Sequence, residues 1–254
     1  MTLAVRVIPC LDIDSGKVVK GVNFQEVKAI GDPIELATKY YADGADELTY
    51  LDITASKEDR SATLDLVSRT AETLFIPLTV GGGVKSVSDV GDLLGAGADK
   101  VSIGSAAVDG IELLSSIAQK YGDQVLVVSL DIQRSSNTLS GFELTTHGGS
   151  VSTGVDAFRW IEGTQDIGIG ELLLNSMDAD GTKRGFDLEL IKAVRNLTGL
   201  PLIASGGAGK VEDFVEASIA GASAVLAASV FHNGEISIKE VKARLNESGL
   251  AVRL

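Results

Sequence analysis

Two aspartates close short apolar runs, Asp12 in "IPCLDID" and Asp131 in "VVSLDIQ". A carboxylate at the end of a buried strand reaches the loops where ligands bind. Two carboxylates in unlike environments can divide general-acid and general-base work. Taken alone, either aspartate would serve as well to cap a helix or brace a loop. A matched pair needs a further reason, and the glycines near them supply one. "VGGGV" (Val80 to Val84) and "SGGAG" (Ser205 to Gly209) each place a Gly pair, Gly82-Gly83 and Gly206-Gly207, after an apolar run. The next apolar run of each ends in a small-residue pair, Gly104-Ser105 and Ala228-Ser229. Glycine lets a backbone approach a ligand, and N–H groups gathered at a loop or helix start suit a phosphate. A single Gly-Gly after a strand often serves turn geometry alone. Its recurrence predicts a ligand with a phosphate at each end and the chemistry between them.

Short runs that are apolar on both faces alternate along the chain with longer amphipathic segments. Strands are expected at 5–12, 47–52, 76–80, 100–103, 124–131, 171–175, 200–204 and 224–228. Apolarity on both faces marks parallel strands covered by helices. Asp32-Pro33 opens one helix and Gly44 stops it; Asp187 and Gly199 bound another. Eight strands and about eight helices in 254 residues without a linker fit one domain, 1–254, folded as a (β/α)8 barrel. A doubly wound open sheet is the second choice. The stretch 132–154 holds the alternating run "FELTTH" and reads as a hairpin on a long loop, with the character of a lid.

Sliding residues 44–105 onto 168–229 without a gap gives 18 identities in 62 positions, where chance gives about four or five. Glu47 meets Glu171, Pro77 meets Pro201, Asp89 meets Asp213, and Ser105 meets Ser229. Convergence of two βαβ units would match apolar positions, but not polar ones at a constant offset. The chain therefore reads as two duplicated half-barrels, about 1–123 and 124–254.

The formal net charge of −13 argues against nucleic acid and anionic membranes as partners. One cysteine, Cys10, fits a reducing compartment, and no leader or spanning segment is evident. A cytoplasmic protein is expected. His147 and His232, with one cysteine, make no metal spacing. No metal, no other cofactor and no Ser-His-Asp nucleophile are expected.

"IPCLDIDSGKVVKG", "LDITAS", "VGGGV", "GADKVSIGSAAV", "NSMDADGTKRGFD", "ASGGAGK" and "AASVFH" follow one another along nearly the whole chain. Together they resemble the cyclase subunits of imidazole glycerol phosphate synthase, an enzyme of histidine biosynthesis. The resemblance implies a substrate with two phosphates, a phosphoribulosyl-formimino-aminoimidazole carboxamide ribonucleotide. Ammonia converts it to imidazole glycerol phosphate and aminoimidazole carboxamide ribonucleotide. The implied catalytic pair is Asp12 and Asp131. Implied substrate contacts are Lys20 on a mobile first loop, Gly83, Gly104 and Ser105 in one half, and Asp180, Gly181, Gly206, Gly207, Ala228 and Ser229 in the other. Gly104-Ser105 departs from the Asn-Thr common in that family and matches the sister isomerase of the same pathway, the nearest alternative. "DGTKRGFD", "ASVFH" and the terminal "VRL" favour the cyclase. A non-catalytic scaffold barrel is the third reading, and the presence of both aspartates weighs against it.

Four charged residues, Arg6, Glu47, Lys100 and Glu171, stand at strand beginnings and so on the barrel face opposite the aspartates. Any one of them could be an ordinary surface charge. As a set, two acids and two bases could close a ring across the axis, and the resemblance places an ammonia gate there. The implied partner is a glutaminase subunit docking on that face, near Asp99, to form a heterodimer.

Overall fold

The computed structural model describes residues 3–22, 25–53 and 60–253, and for residues 20–22, 25–29, 60 and 62 the backbone alone. The fold is a (β/α)8 barrel. Its parallel strands pair in the order β1 (Arg6–Asp14), β4 (Leu48–Asp52), β5 (Leu78–Gly81), β6 (Lys100–Ile103), β7 (Leu126–Arg134), β10 (Glu171–Ser176), β11 (Leu202–Ser205), β12 (Ala224–Ala227) and back to β1. Two antiparallel hairpins are added to this ring. β2 (Lys17–Val22) and β3 (Gln25–Gly31) follow β1; β8 (Phe142–Thr146) and β9 (Val151–Asp156) follow β7. All eight expected strands are present, with edges moved by a few residues.

The chain divides into two compact units, 1–102 with 226–254, and 103–225. The cuts fall on β6 and β12, about one repeat length apart, one βα step along from the halves read in the sequence. In the first unit Val7, Ile8, Cys10 and Leu11 are successive buried apolar positions on β1, as a strand covered on both faces requires. α1 (Pro33–Ala42) starts as expected. The Asp32 carboxylate accepts from Ile34 N at 2.9 Å and Glu35 N at 3.1 Å, and Pro33 occupies the first helical position. Tyr50 on β4 is 2% exposed and ties α1 to α2 (Arg60–Ala71): its hydroxyl donates to Pro33 O and pairs with Thr70 Oγ1, both at 3.1 Å. α3 (Val87–Gly95) lies between β5 and β6. Near the chain's end, α9 (Ser229–His232) and α10 (Ile238–Glu247) return to this unit, where Tyr40 Oη meets His232 Nδ1 at 2.6 Å.

The second unit holds the short α4 (Ser105–Asp109), then α5 (Ile111–Tyr121), α6 (Ala157–Gly163), α7 (Leu188–Leu197) and α8 (Val211–Ile219). Asp187 caps α7 through Leu190 N at 3.1 Å, as its position predicts. The helix stops at Leu197, with Thr198 as its cap, one residue short of Gly199.

Candidate active site

Asp131 lies on β7 and is bonded from the neighbouring strands on both sides. Across the parallel ladder it pairs with Asn175 of β10, and Asn175 Nδ2 donates to Asp131 Oδ1 at 3.1 Å. Ser205 Oγ of β11 donates to Asn175 Oδ1 at 3.4 Å. Across the antiparallel ladder Asp131 pairs with Thr145 of β8, whose hydroxyl donates to Asp131 O at 3.1 Å. The backbone N–H groups of Gly148 and Gly149, in the turn at the hairpin tip, favour the charged form of the same carboxylate. Burial pushes the Asp131 carboxyl up from its ordinary range, and the Asp180 charge adds to this; the Asn175 and glycine donors pull the other way without reversing it. Asp180 is also raised, by its own burial, against the Gly181 amide.

Asn175, Gly148 and Gly149 were not singled out from the sequence. Asn175 differs from the aligned Leu51 of the other half, so the repeat hides it, and Gly148-Gly149 reads as an ordinary hairpin turn. The hairpin expected in 132–154 is present, but its contacts are those of a wall of the site. His147 N, at the tip, donates to Ser105 Oγ at 2.9 Å.

Asp12 sits on β1, half-buried, between Val19 of β2 and Leu51 of β4 in register. The first loop, expected to carry Lys20, is strand where it is described: Ser15 and Gly16, at φ 48° and 76°, turn β1 directly into β2. Two successive residues at positive φ make the tight hairpin turn whose twist matches the strands, a signal present in "DSGK". Lys20 lies on β2, and its side chain lies outside the described residues.

The Gly pairs prove unequal in purpose. A Cβ on Gly82 would run into the Asp52 carbonyl, and one on Gly206 would come within 2.9 Å of the Ser176 carbonyl, the repeat-equivalent atom. The first glycine of each pair is therefore required by the crossing of the preceding strand. A Cβ on Gly207 would strike the Gly185 carbonyl, and Gly185 N donates to Gly207 O at 2.8 Å. The segment carrying Asp180 and Gly181 thus rests directly on this backbone. The repeated aspartates take the same part in both halves. Asp89 accepts from Lys85 N at 2.8 Å and Ser86 N at 3.0 Å; Asp213 accepts from Gly209 N at 2.8 Å and Lys210 N at 2.9 Å. Each fixes the loop just after its Gly pair. Gly104 and Ala228 directly precede α4 and α9, and Ser105 and Ser229 begin them, as expected, although these helices are only 5 and 4 residues long.

At the strand beginnings, Arg6 Nη1 meets Glu47 Oε1 at 2.7 Å, and Lys100 Nζ lies 3.1 Å from both Glu47 oxygens. Glu47 is 4% exposed. Glu171 opens β10 in the second unit and is buried. Beside the first three, Lys242 Nζ reaches Asp46 Oδ1 at 2.9 Å, a buried pair that the sequence reading missed. Asp99 accepts from Leu78 N at 2.8 Å. Among the described residues no His, Cys, Asp or Glu cluster gathers as a metal site would, and no helix is long and apolar enough to cross a membrane.

The model of a family described as histidine biosynthesis protein matches residues 6–237. Over the full length of both chains the sequence is 64% identical to a protein of Thermobifida fusca named imidazole glycerol phosphate synthase subunit HisF. It is 60% identical to the protein of that name from a Nocardioides species, and 58% to that from Bifidobacterium adolescentis, again over the whole of each.

Proposed function

We propose a mechanism from one premise: this chain belongs to the histidine biosynthesis family, among the HisF cyclase subunits of imidazole glycerol phosphate synthase. The observation that carries the reading is similarity across the entire chain to relatives of that one name.

The substrate's two phosphates are assigned one to each half. Gly83, Gly104 and Ser105 take the first; Asp180, Gly181, Gly206, Gly207, Ala228 and Ser229 surround the second. Ser105 Oγ already accepts from His147 N, so its own O–H remains to donate to a phosphate oxygen. Lys20 adds a cation to the bisphosphate. Between the phosphates, ammonia attacks the ketone of the phosphoribulosyl arm, water leaves as the imine forms, and the imidazole ring closes with release of aminoimidazole carboxamide ribonucleotide. Each stage moves protons. Asp131, whose carboxyl burial draws upward, is assigned as the general base, and Asp12 as the acid.

Most ammonia is protonated at neutral pH, so a dedicated source is required. Arg6, Glu47, Lys100 and Glu171 form the proposed gate, and a glutaminase subunit docks on that face near Asp99. Barrel interiors are normally packed, so passage requires the charged set to loosen. The deciding experiment incubates the purified chain with the bisphosphate and ammonium salt. Formation of imidazole glycerol phosphate supports the reading; isomerisation without ammonia consumption would transfer the chain to the sister isomerase activity.

A further inference from the structure

The hairpin β8–β9 is held at more points than a loop cover needs. At its base the Arg134 guanidinium bonds Asp187 at 2.6 and 3.0 Å and Glu189 at 2.9 Å, and Arg134 N donates to Asp178 at 2.8 Å. Ser140 N donates to Asp156 at 2.8 Å, the carboxylate that caps α6. In its middle, Glu143 is a carboxylate only 2% exposed. It accepts from the Ser152 hydroxyl and from Gly154 N at 2.7 Å, both on the facing strand. The Ser152 hydroxyl, then the Gly154 amide, hold this carboxyl below its usual range. The clasp spans the register shift between Glu143 and Thr145, where the ladder alone specifies position least. Beyond it, His147, Gly148 and Gly149 all have positive φ, at 55°, 65° and 83°. His147 N donates to Ser105 Oγ, and the N–H groups of Gly148 and Gly149 act on the Asp131 carboxylate, whose strand pairs with theirs at Thr145.

We propose that the His147–Gly149 turn is the positioning element of Asp131, and that buried Glu143 is the positioning residue that sets the turn's register. The inference rests on the reading of Asp131 as a reacting carboxylate. Glu143 touches no reacting atom; its effect must pass through Asp131. Loss of the clasp frees the hairpin to slide across its irregular register. The two glycine donors then leave the carboxylate, while the strand keeps Asp131 in place.

The test is a double-mutant cycle on the purified chain, with ammonium salt as nitrogen source. Glu143→Leu is expected to lower kcat about tenfold with KM for the bisphosphate changed less than about twofold. Glu143→Gln keeps an acceptor oxygen and is expected to recover most of the loss. In an Asp131→Asn background, Glu143→Leu is expected to cost nothing further, because the residue it serves is gone. Equal losses in both backgrounds, with Asp131→Asn itself impaired, overturn the proposal alone. So does a raised KM at unchanged kcat, which would tie the turn to Ser105. A fully active Asp131→Asn removes the reading of Asp131 and the proposal with it. Should Glu143→Leu fail to fold, Ser152→Ala opens the same clasp with an expected kcat loss of about threefold. Hydrogen exchange gives a readout without turnover: the 142–150 segment is expected to exchange faster in Asp131→Ala than in wild type. Unchanged exchange overturns the proposal.

Discussion

The hairpins that follow β1 and β7 occupy the same place in the two halves, yet they are built differently. The first leaves β1 through a two-residue turn at Ser15-Gly16, and the ladder between its own two strands shifts register twice. The second leaves β7 through the longer connection 135–141 and is bonded at base, middle and tip. Each lays a strand beside its aspartate: Val19 opposite Asp12, Thr145 opposite Asp131. Held at three levels, the second hairpin fixes both the strand beside Asp131 and the turn above it. Under the proposed two-carboxylate scheme, the unlike turns that follow β1 and β7 would give the pair the different surroundings that complementary proton-transfer roles require.

The largest test of that difference replaces each aspartate. Asp131→Asn and Asp12→Asn should each lower ammonium-dependent kcat by about 10²–10⁴-fold while the chain stays folded and binds substrate. Single-turnover rates at several pH values check this, and near-normal turnover in either variant ends the two-carboxylate scheme. The glycine pairs offer the next contrast. Gly207→Ala sets a methyl against the Gly185 carbonyl at φ 101°, a strain of about 1–3 kcal/mol expected to raise KM about 5- to 150-fold. Gly83, at φ 60°, lies in the ordinary left-handed well, so Gly83→Ala should cost about 1 kcal/mol. Equal KM values for the two variants would show that the halves bind the substrate alike.

At the other face, Lys100→Ala leaves Glu47 with Arg6. With a glutaminase partner present, the ratio of glutamine-dependent to ammonium-dependent turnover should change about fivefold, on the order of 1 kcal/mol for a partly exposed ion pair. An unchanged ratio would mean these charges gate nothing. The smallest effect concerns stability. Burial pushes the Asp187 carboxyl up, but Arg134 and Leu190 N outweigh it and leave the group below its usual range. A lowered carboxylate stabilises the fold above the ordinary carboxylate range, and that contribution is lost as pH falls through the lowered value. Asp187→Asn should therefore cost about 1–2 kcal/mol at neutral pH, discounted for the half-exposed Arg134. The difference should vanish in strong acid, as paired chemical melts at several pH values would show.

Much of this was legible in the residues. Parallel strands are apolar on both faces, so β1 through β12 of the ring announce themselves, and Asp32-Pro33 states its helix start chemically. Asp12 and Asp131 were found because each follows an unbroken run of largely apolar residues, although their strands continue to Asp14 and Arg134. What escaped was of two kinds. The β2–β3 strands, KVVKGV and QEVKAIG, mix Lys, Gln, Glu and Gly with apolar residues in no regular period, which resembles loop composition, and the Ser15-Gly16 turn signal was passed over. Asn175, Glu143 and the Gly148-Gly149 amides act through contacts across the sheet. Their partners lie 44 residues away for Asn175, and 9 and 11 away for Glu143, and no local period connects them. The Asp89 and Asp213 matches were visible, but their shared task of holding the loop after each glycine pair needs backbone geometry.

The division of the chain has a consequence for the order of folding. Residues 103–225 are contiguous, whereas the other compact unit needs 1–102 together with 226–254. Val5 N bonds Ala251 O, Asp46 bonds Lys242, and Tyr40 bonds His232. Closing that unit therefore requires a loop of well over a hundred residues, while the middle stretch is built from nearer contacts. During refolding from denaturant, pulse proteolysis should find the middle segment protected before the N-terminal strands.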